Sequence, residues 1–202
     1  MKCHLCDSEF PFREYTLHGY ASRCIACNTM VIYPEMEEHR IRKTMAAARF
    51  PVRFLDLRQT ALVNTLECHV GKTICNQQPL FLFGPVATGK TLCLAILAQQ
   101  LVQRRHSIFF MHCGESADYL RAHNEELDAF RERAEQASHL FLDDIGMEYD
   151  KTGWWSAWLG GIVNFRFNNM LPTSATSNCV LAQLEPRLAR RLSEGATILK
   201  LT

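Results

Sequence analysis

The sequence lacks a dominant charge: 22 lysines and arginines face 21 aspartates and glutamates over 202 residues. Proteins that bind nucleic acid or anionic membrane by bulk electrostatics carry a basic excess, so any contact with an anionic partner must here be local. It also lacks a long apolar run. No stretch approaches the ~20 apolar residues that cross a bilayer, and the opening MKCHLCDSEF has no apolar core of a signal peptide. These absences predict a soluble, cytoplasmic protein. Internal repeats and low-complexity tracts are missing too, which leaves 48% hydrophobic residues to build an ordinary buried core.

Cysteine, by contrast, is plentiful. In a reducing compartment nine cysteines argue for metal binding plus buried thiols rather than a disulfide framework. Four of them are paired, Cys3-x-x-Cys6 and Cys24-x-x-Cys27, with residues 7–23 between the pairs. Each pair can wrap a tight turn around one side of a tetrahedral ion, so the four thiolates predict a closed structural Zn²⁺ site. A segment this short has little core of its own, and the metal would supply much of its folding free energy. Cys68, Cys75, Cys93, Cys113 and Cys179 show no ligand spacing and read as small core residues.

Composition divides the chain into three parts: a zinc-binding module over 1–33, a basic helix and linker over 34–51, and an α/β core over 52–202. The linker carries Arg40, Arg42, Lys43, Arg49 and Arg53, and Pro51 ends any helix, which is expected over 35–48. A basic run of this kind can touch phosphates; its more common fate is a solvated helix face.

Strand and helix patterns alternate through the core. Apolar runs at 79–83, 107–111 and 139–144 read as strands, as do PTSATSN and ATILKL. Helical spacing appears at 91–105, at 117–127, at 153–171 and over LAQLEPRLARRLSEG. This alternation predicts a five-stranded parallel sheet between helices.

The first strand runs into GPVATGKT, residues 84–91. Gly84 and Gly89 let backbone N–H groups approach phosphates, and the following helix points its positive end at them. Lys90 reaches the outer phosphates and the Thr91 hydroxyl ligates Mg²⁺. A second GKT at 71–73 is a decoy, because Leu66 stands where the motif needs glycine. HLFLDDIG supplies the complement: Asp143 ends an apolar strand, where its carboxylate can hold Mg²⁺ through water. Asp144 follows as the base that orients the attacking water, one methylene shorter than the glutamate usual in such enzymes. Asn178, at the tip of the neighbouring strand, can hydrogen-bond that water or the γ-phosphate. Arg187 and Arg191 share a helix face at i, i+4. On a late helix, such a pair suits a finger that enters a neighbouring subunit's nucleotide.

GPVATGKT, LFLDDIG, NFRFNNMLPTSATSN and RLARRLSEG, in this order, resemble the AAA+ ATPases of the DnaC/IstB group, which includes helicase loaders and transposition helpers. The resemblance covers about 50–202. It implies a P-loop NTPase core with ATP and Mg²⁺ as cofactors. Lys90 and Thr91 fall in Walker A, Asp143 and Asp144 in Walker B, Asn178 at sensor 1, and Arg191 at the arginine finger with Arg187 beside it. It further implies that residues 1–35 form a module that grips a partner, and that subunits assemble through the ATP site. The small helical lid usual in that superfamily does not follow the fifth strand, so a minimal member and a fragment both remain open.

Three readings follow. The first is an ATP-dependent loader of a replicative helicase, with slow, assembly-dependent hydrolysis and single-stranded DNA as a possible further partner. The second keeps the ATPase and replaces the helicase with a transposase. The third is a nucleotide-dependent DNA-binding adaptor with negligible hydrolysis, suggested by Asp144 and the basic 40–53 segment. The tryptophans Trp154, Trp155 and Trp158 crowd one helix start, where buried packing is the expected fate of at least two.

Overall fold

The computed structural model describes residues 25–55, 78–146, 148 and 150–202. The chain divides into two compact units, Met1–Lys43 and Thr44–Thr202. Helix α1, Ile25–Ala47, begins ten residues before the expected start and encloses Pro34. A proline removes one rung of the helical ladder without having to end it when full turns lie on both sides. Arg40, from the basic run, donates through Nε to Glu37 at 2.9 Å.

The second unit starts with the end of α1. Arg49 N bonds Ala46 O at 3.0 Å and Phe50 N bonds Met45 O at 3.1 Å, with Arg49 itself left-handed at φ 72°. This is the helix stop that glycine ordinarily makes. The chain then runs beside the sheet: Phe110 N donates to Ala48 O at 2.9 Å. Phe50 is buried with its ring 4.5 Å from Phe110 and 5.5 Å from Phe141. A short 3₁₀ turn, Val52–Phe54, follows.

Five strands make one parallel sheet: β1 Leu80–Phe83, β2 Ile108–His112, β3 His139–Asp143, β4 Thr173–Ser177 and β5 Thr197–Lys200. Their spatial order is β2-β3-β4-β1-β5. The five-stranded parallel sheet expected from the sequence is therefore present. Helices α2 (Lys90–Gln103), α3 (Cys113–Ala122), α4 (Leu127–Gln136), α5 (Trp154–Asn168) and α6 (Pro186–Ser193) connect and cover the strands. Parallel strands buried on both faces are continuously apolar, and β1 and the middle of β3, Leu140–Leu142, obey this. In β4 the sequence is Thr-Ser-Ala-Thr-Ser, yet every residue is buried. Each hydroxyl has work. Ser174 Oγ accepts from Leu80 N at 2.9 Å and pairs with His139 Nε2 at 2.8 Å. Thr173 Oγ1 accepts from Arg166 Nε at 3.0 Å.

Arg166 is wholly buried on α5, without a carboxylate partner among the described residues. Its guanidinium donates to Ala134 O and Ala137 O, both at 2.7 Å, and to Pro172 O at 2.8 Å. These acceptors lie at the end of α4 and the start of β4, so one side chain ties three elements together. Orphan carbonyls at a helix C-terminus favour a cation.

The helical reading of 117–127 was too simple. α3 starts earlier, at Cys113, and stops at His123, whose ring stacks on Tyr119 at 4.3 Å while Nδ1 lies 3.0 Å from Tyr119 O. A 3₁₀ turn, Asn124–Glu126, then leads into α4. The final helical segment also splits, into a 3₁₀ turn at Leu181–Gln183 and α6. There Pro186 sits in the first turn and Glu185 caps it by accepting from Leu188 N at 2.7 Å. Trp155 is buried; Trp154 and Trp158 are half-buried against the core, Trp158 stacked on Trp155 and Trp154 tilted against it. Cys93 and Cys113 are buried thiols, and among the described residues no helix is long and apolar enough to cross a membrane.

Candidate functional site

The site forms where β1 meets α2. Gly84 N bonds Ser177 O at 3.3 Å, which ties the start of the loop to the end of β4. A side chain at position 84 would put Cβ 2.0 Å from Leu201 O, because the exit of β5 passes there and Leu201 N bonds Phe83 O. Gly89 has open space around it but adopts φ 87°, a left-handed turn that starts α2. Both glycines are thus required by backbone conformation, Gly84 at φ 148°, and Gly84 by the close approach of Leu201 as well.

Lys90 is buried, and its Nζ donates to Gly84 O at 2.8 Å and Pro85 O at 2.6 Å. Its charge is folded back over the hollow of its own loop, where a phosphate oxygen could take the place of a carbonyl. Thr91 Oγ1 lies 3.0 and 2.9 Å from the two carboxylate oxygens of Asp143. A hydroxyl and a carboxylate from separate elements are thereby brought to one point, the donor set that a hard cation such as Mg²⁺ takes.

Asp143 ends β3 and is held there by Thr176 Oγ1, which donates to Oδ1 at 2.6 Å. The same oxygen accepts from Asp144 N at 2.9 Å, so one threonine sets both aspartates. Burial pushes the Asp143 carboxyl above its ordinary value, against the hydrogen bonds from Thr176 and Thr91 and the nearby His112. A cation between Thr91 and Asp143 would relieve that cost by stabilising the charged form. Asp144 turns left-handed at φ 60°, and its Oδ1 accepts from Asn178 Nδ2 at 2.6 Å. Ile145 N on Thr176 O and Ser177 Oγ on Ile145 O fasten the turn behind it.

These groups open into one cavity of about 1000 Å³, which holds Lys90, Thr91, Asp143, Asp144 and Asn178 on its wall. The structure therefore gathers the residues of the GPVATGKT, Asp-Asp and Asn178 readings at one rim of the sheet. Sequence reasoning missed the rest of the wall. His112 pairs in register with Asp143 across β2 and β3, and its Nδ1 accepts from Glu115 N at 3.4 Å. Thr176 could have been suspected only from an unusually polar strand. Arg49 and Arg53 also line the cavity, where a solvated face was the commoner expectation.

Arg187 and Arg191 lie elsewhere, on α6, and neither lines the cavity. Arg187 is exposed. Arg191, on the same helix face, is half-buried with its guanidinium 5.6 Å from the Phe167 ring centre. The helix is short and its apolar pair, Leu188 and Leu192, faces inward, which draws the neighbouring position partly down. Cys3, Cys6 and Cys24 fall outside the described residues, as do the side chain of Cys27 and the second GKT at 71–73. Among the described residues no three His, Cys, Asp or Glu side chains are grouped to hold a metal.

Residues 80–150 match the ATPase family associated with various cellular activities (AAA). The sequence is 29% identical to the replicative helicase loader DnaI of Bacillus subtilis (strain 168) over 102 residues, 49% of this chain and 32% of that protein. The match thus spans about a third of the curated relative's length. The crystal structure of DnaI aligns with a TM-score of 0.59 at 23% identity, covering 77% of this chain and 92% of that chain. The crystal structure of the DnaC helicase loader aligns at 0.58 and 17%, covering 73% and 94%. AMPPCP-bound DnaA from Aquifex aeolicus aligns at 0.58 and 20%, covering 66% and 44%. The likeness to these solved structures is one of fold.

Proposed function

We propose that this chain is an ATP-dependent loader of a replicative DNA helicase, in which hydrolysis is a slow switch set by assembly. The observation that carries the reading is the convergence of Lys90, Thr91, Asp143, Asp144 and Asn178 on one cavity, and the sequence likeness to DnaI supports it. The backbone of residues 84–91 and Lys90 hold the outer phosphates, while Thr91 and Asp143 hold the metal. Mg²⁺, when bound, neutralises charge that develops on the phosphoryl oxygens. Asp144 orients a water for attack, and Asn178 holds the carboxylate at its working angle. Arg191, with Arg187 beside it, serves the nucleotide of a neighbouring subunit, which makes turnover depend on self-assembly.

In the same reading Cys3, Cys6, Cys24 and Cys27 hold a structural Zn²⁺, and the N-terminal module grips the helicase in the cytoplasm. Single-stranded DNA is the cargo onto which the helicase is placed. Native mass spectrometry of the protein with its cognate helicase, with and without ATP, tests all of this at once. The expected spectrum contains one zinc per chain and an ATP-dependent complex. Absence of a complex in either state would sink the loader reading, and a complex with a transposase instead would move the client. The non-hydrolysing adaptor reading fails if phosphate release is measurable and Lys90→Ala abolishes it.

A further inference from the structure

The basic run singled out in the sequence is not accounted for by the site as described, and its last two members face the cavity. Arg49 is held in place by its surroundings. Its guanidinium sits 4.5 Å from the ring centre of Phe130 and 5.6 Å from that of Tyr119, and its backbone is left-handed at φ 72°. Glycine is the ordinary residue at such a helix stop, and a side chain there is strained. Arginine at that position is a local cost for which the cavity supplies a reason. Arg53 follows on the 3₁₀ turn, its guanidinium 4.6 Å from the Phe54 ring centre. The turn itself is anchored by Ala48 on β2 and by Phe50 in the core. Both cations therefore stand on a rigid support at the wall of the cavity that holds Lys90 and Asp143, approaching it from the segment beside β2 and not from the phosphate loop.

Charge makes the same point. The cavity wall carries three carboxylates, Asp143, Asp144 and Glu115, against a single phosphate-loop cation, Lys90. Without Arg49 and Arg53, a nucleoside triphosphate with its metal would add net negative charge to an acidic wall. Arg49 and Arg53 raise the cations on that wall to three. Guanidinium groups suit phosphate oxygens because their donors form a planar fork.

We propose that Arg53, with Arg49 beside it on the same cavity wall, binds the outermost phosphate of the nucleotide within the same chain, so that the linker ahead of the core distinguishes triphosphate from diphosphate. The assignment rests on the nucleotide reading of the cavity and adds to it a residue that senses the third phosphate.

The test is the binding of fluorescent ATP and ADP analogues to the full chain, in Mg²⁺, for wild type, Arg53→Gln, Arg53→Lys and Lys90→Ala. Arg53 is exposed, so its variants are expected to fold, and circular dichroism checks that they do. The expected result is a loss of about tenfold in affinity for ATP and little change for ADP, the size of one charge-assisted contact. Arg53→Lys should recover part of the loss. Equal effects on ATP and ADP, or none, would overturn the proposal. A single-stranded oligonucleotide is titrated in parallel, because its backbone offers the same phosphate chemistry. If Arg53→Gln weakens only oligonucleotide binding, the arginine serves that ligand and the proposal is wrong. Lys90→Ala separates the two levels: if it leaves nucleotide binding intact, the nucleotide reading itself has failed, whereas its loss alongside an inert Arg53→Gln rejects only the clamp.

Discussion

At the scale of single residues, the site turns on a hydrogen bond between two side chains from neighbouring strands. Asn178 Nδ2 donates to Asp144 Oδ1 at 2.6 Å, and Asp144 already sits in a left-handed conformation fastened by Thr176. The carboxylate is thus aimed by its neighbours, which offsets its being a methylene shorter than glutamate. Asn178→Ala should lower hydrolysis about tenfold with ATP affinity changed less than threefold, because it removes aim and not charge. Asp144→Asn should lower it by about a hundredfold or more, the range for loss of a general base. Steady-state phosphate release together with equilibrium ATP binding checks both. If Asn178→Ala weakens binding as much as turnover, the residue holds nucleotide and does not position the base.

A second residue carries the pH dependence of stability. His139 is buried on β3, stacked 4.6 Å from Phe141 and paired with Ser174. Burial pulls its pKa from 6.5 to about 3, and the nearby Arg166 and His106 add to the effect. The folded state thus keeps this ring neutral where the unfolded chain protonates it. Its contribution is fully present above pH 6.5 and is lost as pH falls towards about 3. His139→Phe removes that linkage. The variant should cost about 1 kcal/mol at neutral pH, because the Ser174 hydroxyl keeps its bond from Leu80 N but loses its second partner, yet lose less stability than wild type between pH 6.5 and 4. Thermal melts across that range decide it; parallel curves would show that His139 is not the titrating group.

At the scale of elements, the sheet centre is built around a strand that a hydropathy reading would rank low. β4 is buried because each of its hydroxyls closes a bond, to Arg166, His139, Asp143 or Ile145. Arg166→Met should be among the most damaging changes in the core. It would take the guanidinium from the carbonyls of Ala134 and Ala137 and leave Pro172 O with Leu140 N alone, at a cost of about 3 kcal/mol or more. Urea unfolding measures it, and a loss under 1 kcal/mol would mean that water replaces the guanidinium. These features mark the limit of what was legible in the sequence. The phosphate loop and Asp143 could be read because their chemistry is fixed by contiguous residues and strand ends. Arg166, Thr176 and His112 could not, since each acquires its role from partners distant in sequence, and an arginine on a helix ordinarily points to water. The break at His123 escaped because it is made by a ring stacking on Tyr119, not by glycine or proline. Arg49 and Arg53 were visible as a basic run, but only the course of the chain along β2 brings them to the cavity.

At the scale of the whole molecule, the open question is whether the cavity is complete within one chain. Arg191 lies on α6, half-buried beside Phe167 and away from the cavity wall; in the proposed function it serves a nucleotide across a subunit boundary. Such a contact is heterologous: each subunit offers its pocket to one neighbour and its arginine to the other. This has a consequence that separates it from a structural role for the same side chain. Arg191→Ala leaves the pocket intact but removes the finger, and Lys90→Ala does the reverse. Each variant alone should hydrolyse at least a hundredfold more slowly than wild type when assembled on the proposed helicase partner. Mixed in equal amounts, they should regain activity, because about a quarter of randomly formed interfaces then pair an intact pocket with an intact arginine. Recovery to that level, absent when either protein is mixed with buffer alone, would place the arginine in trans. A mixture no faster than the sum of its parts, with both proteins folded and assembled, would return Arg191 to the packing of α6 against α5.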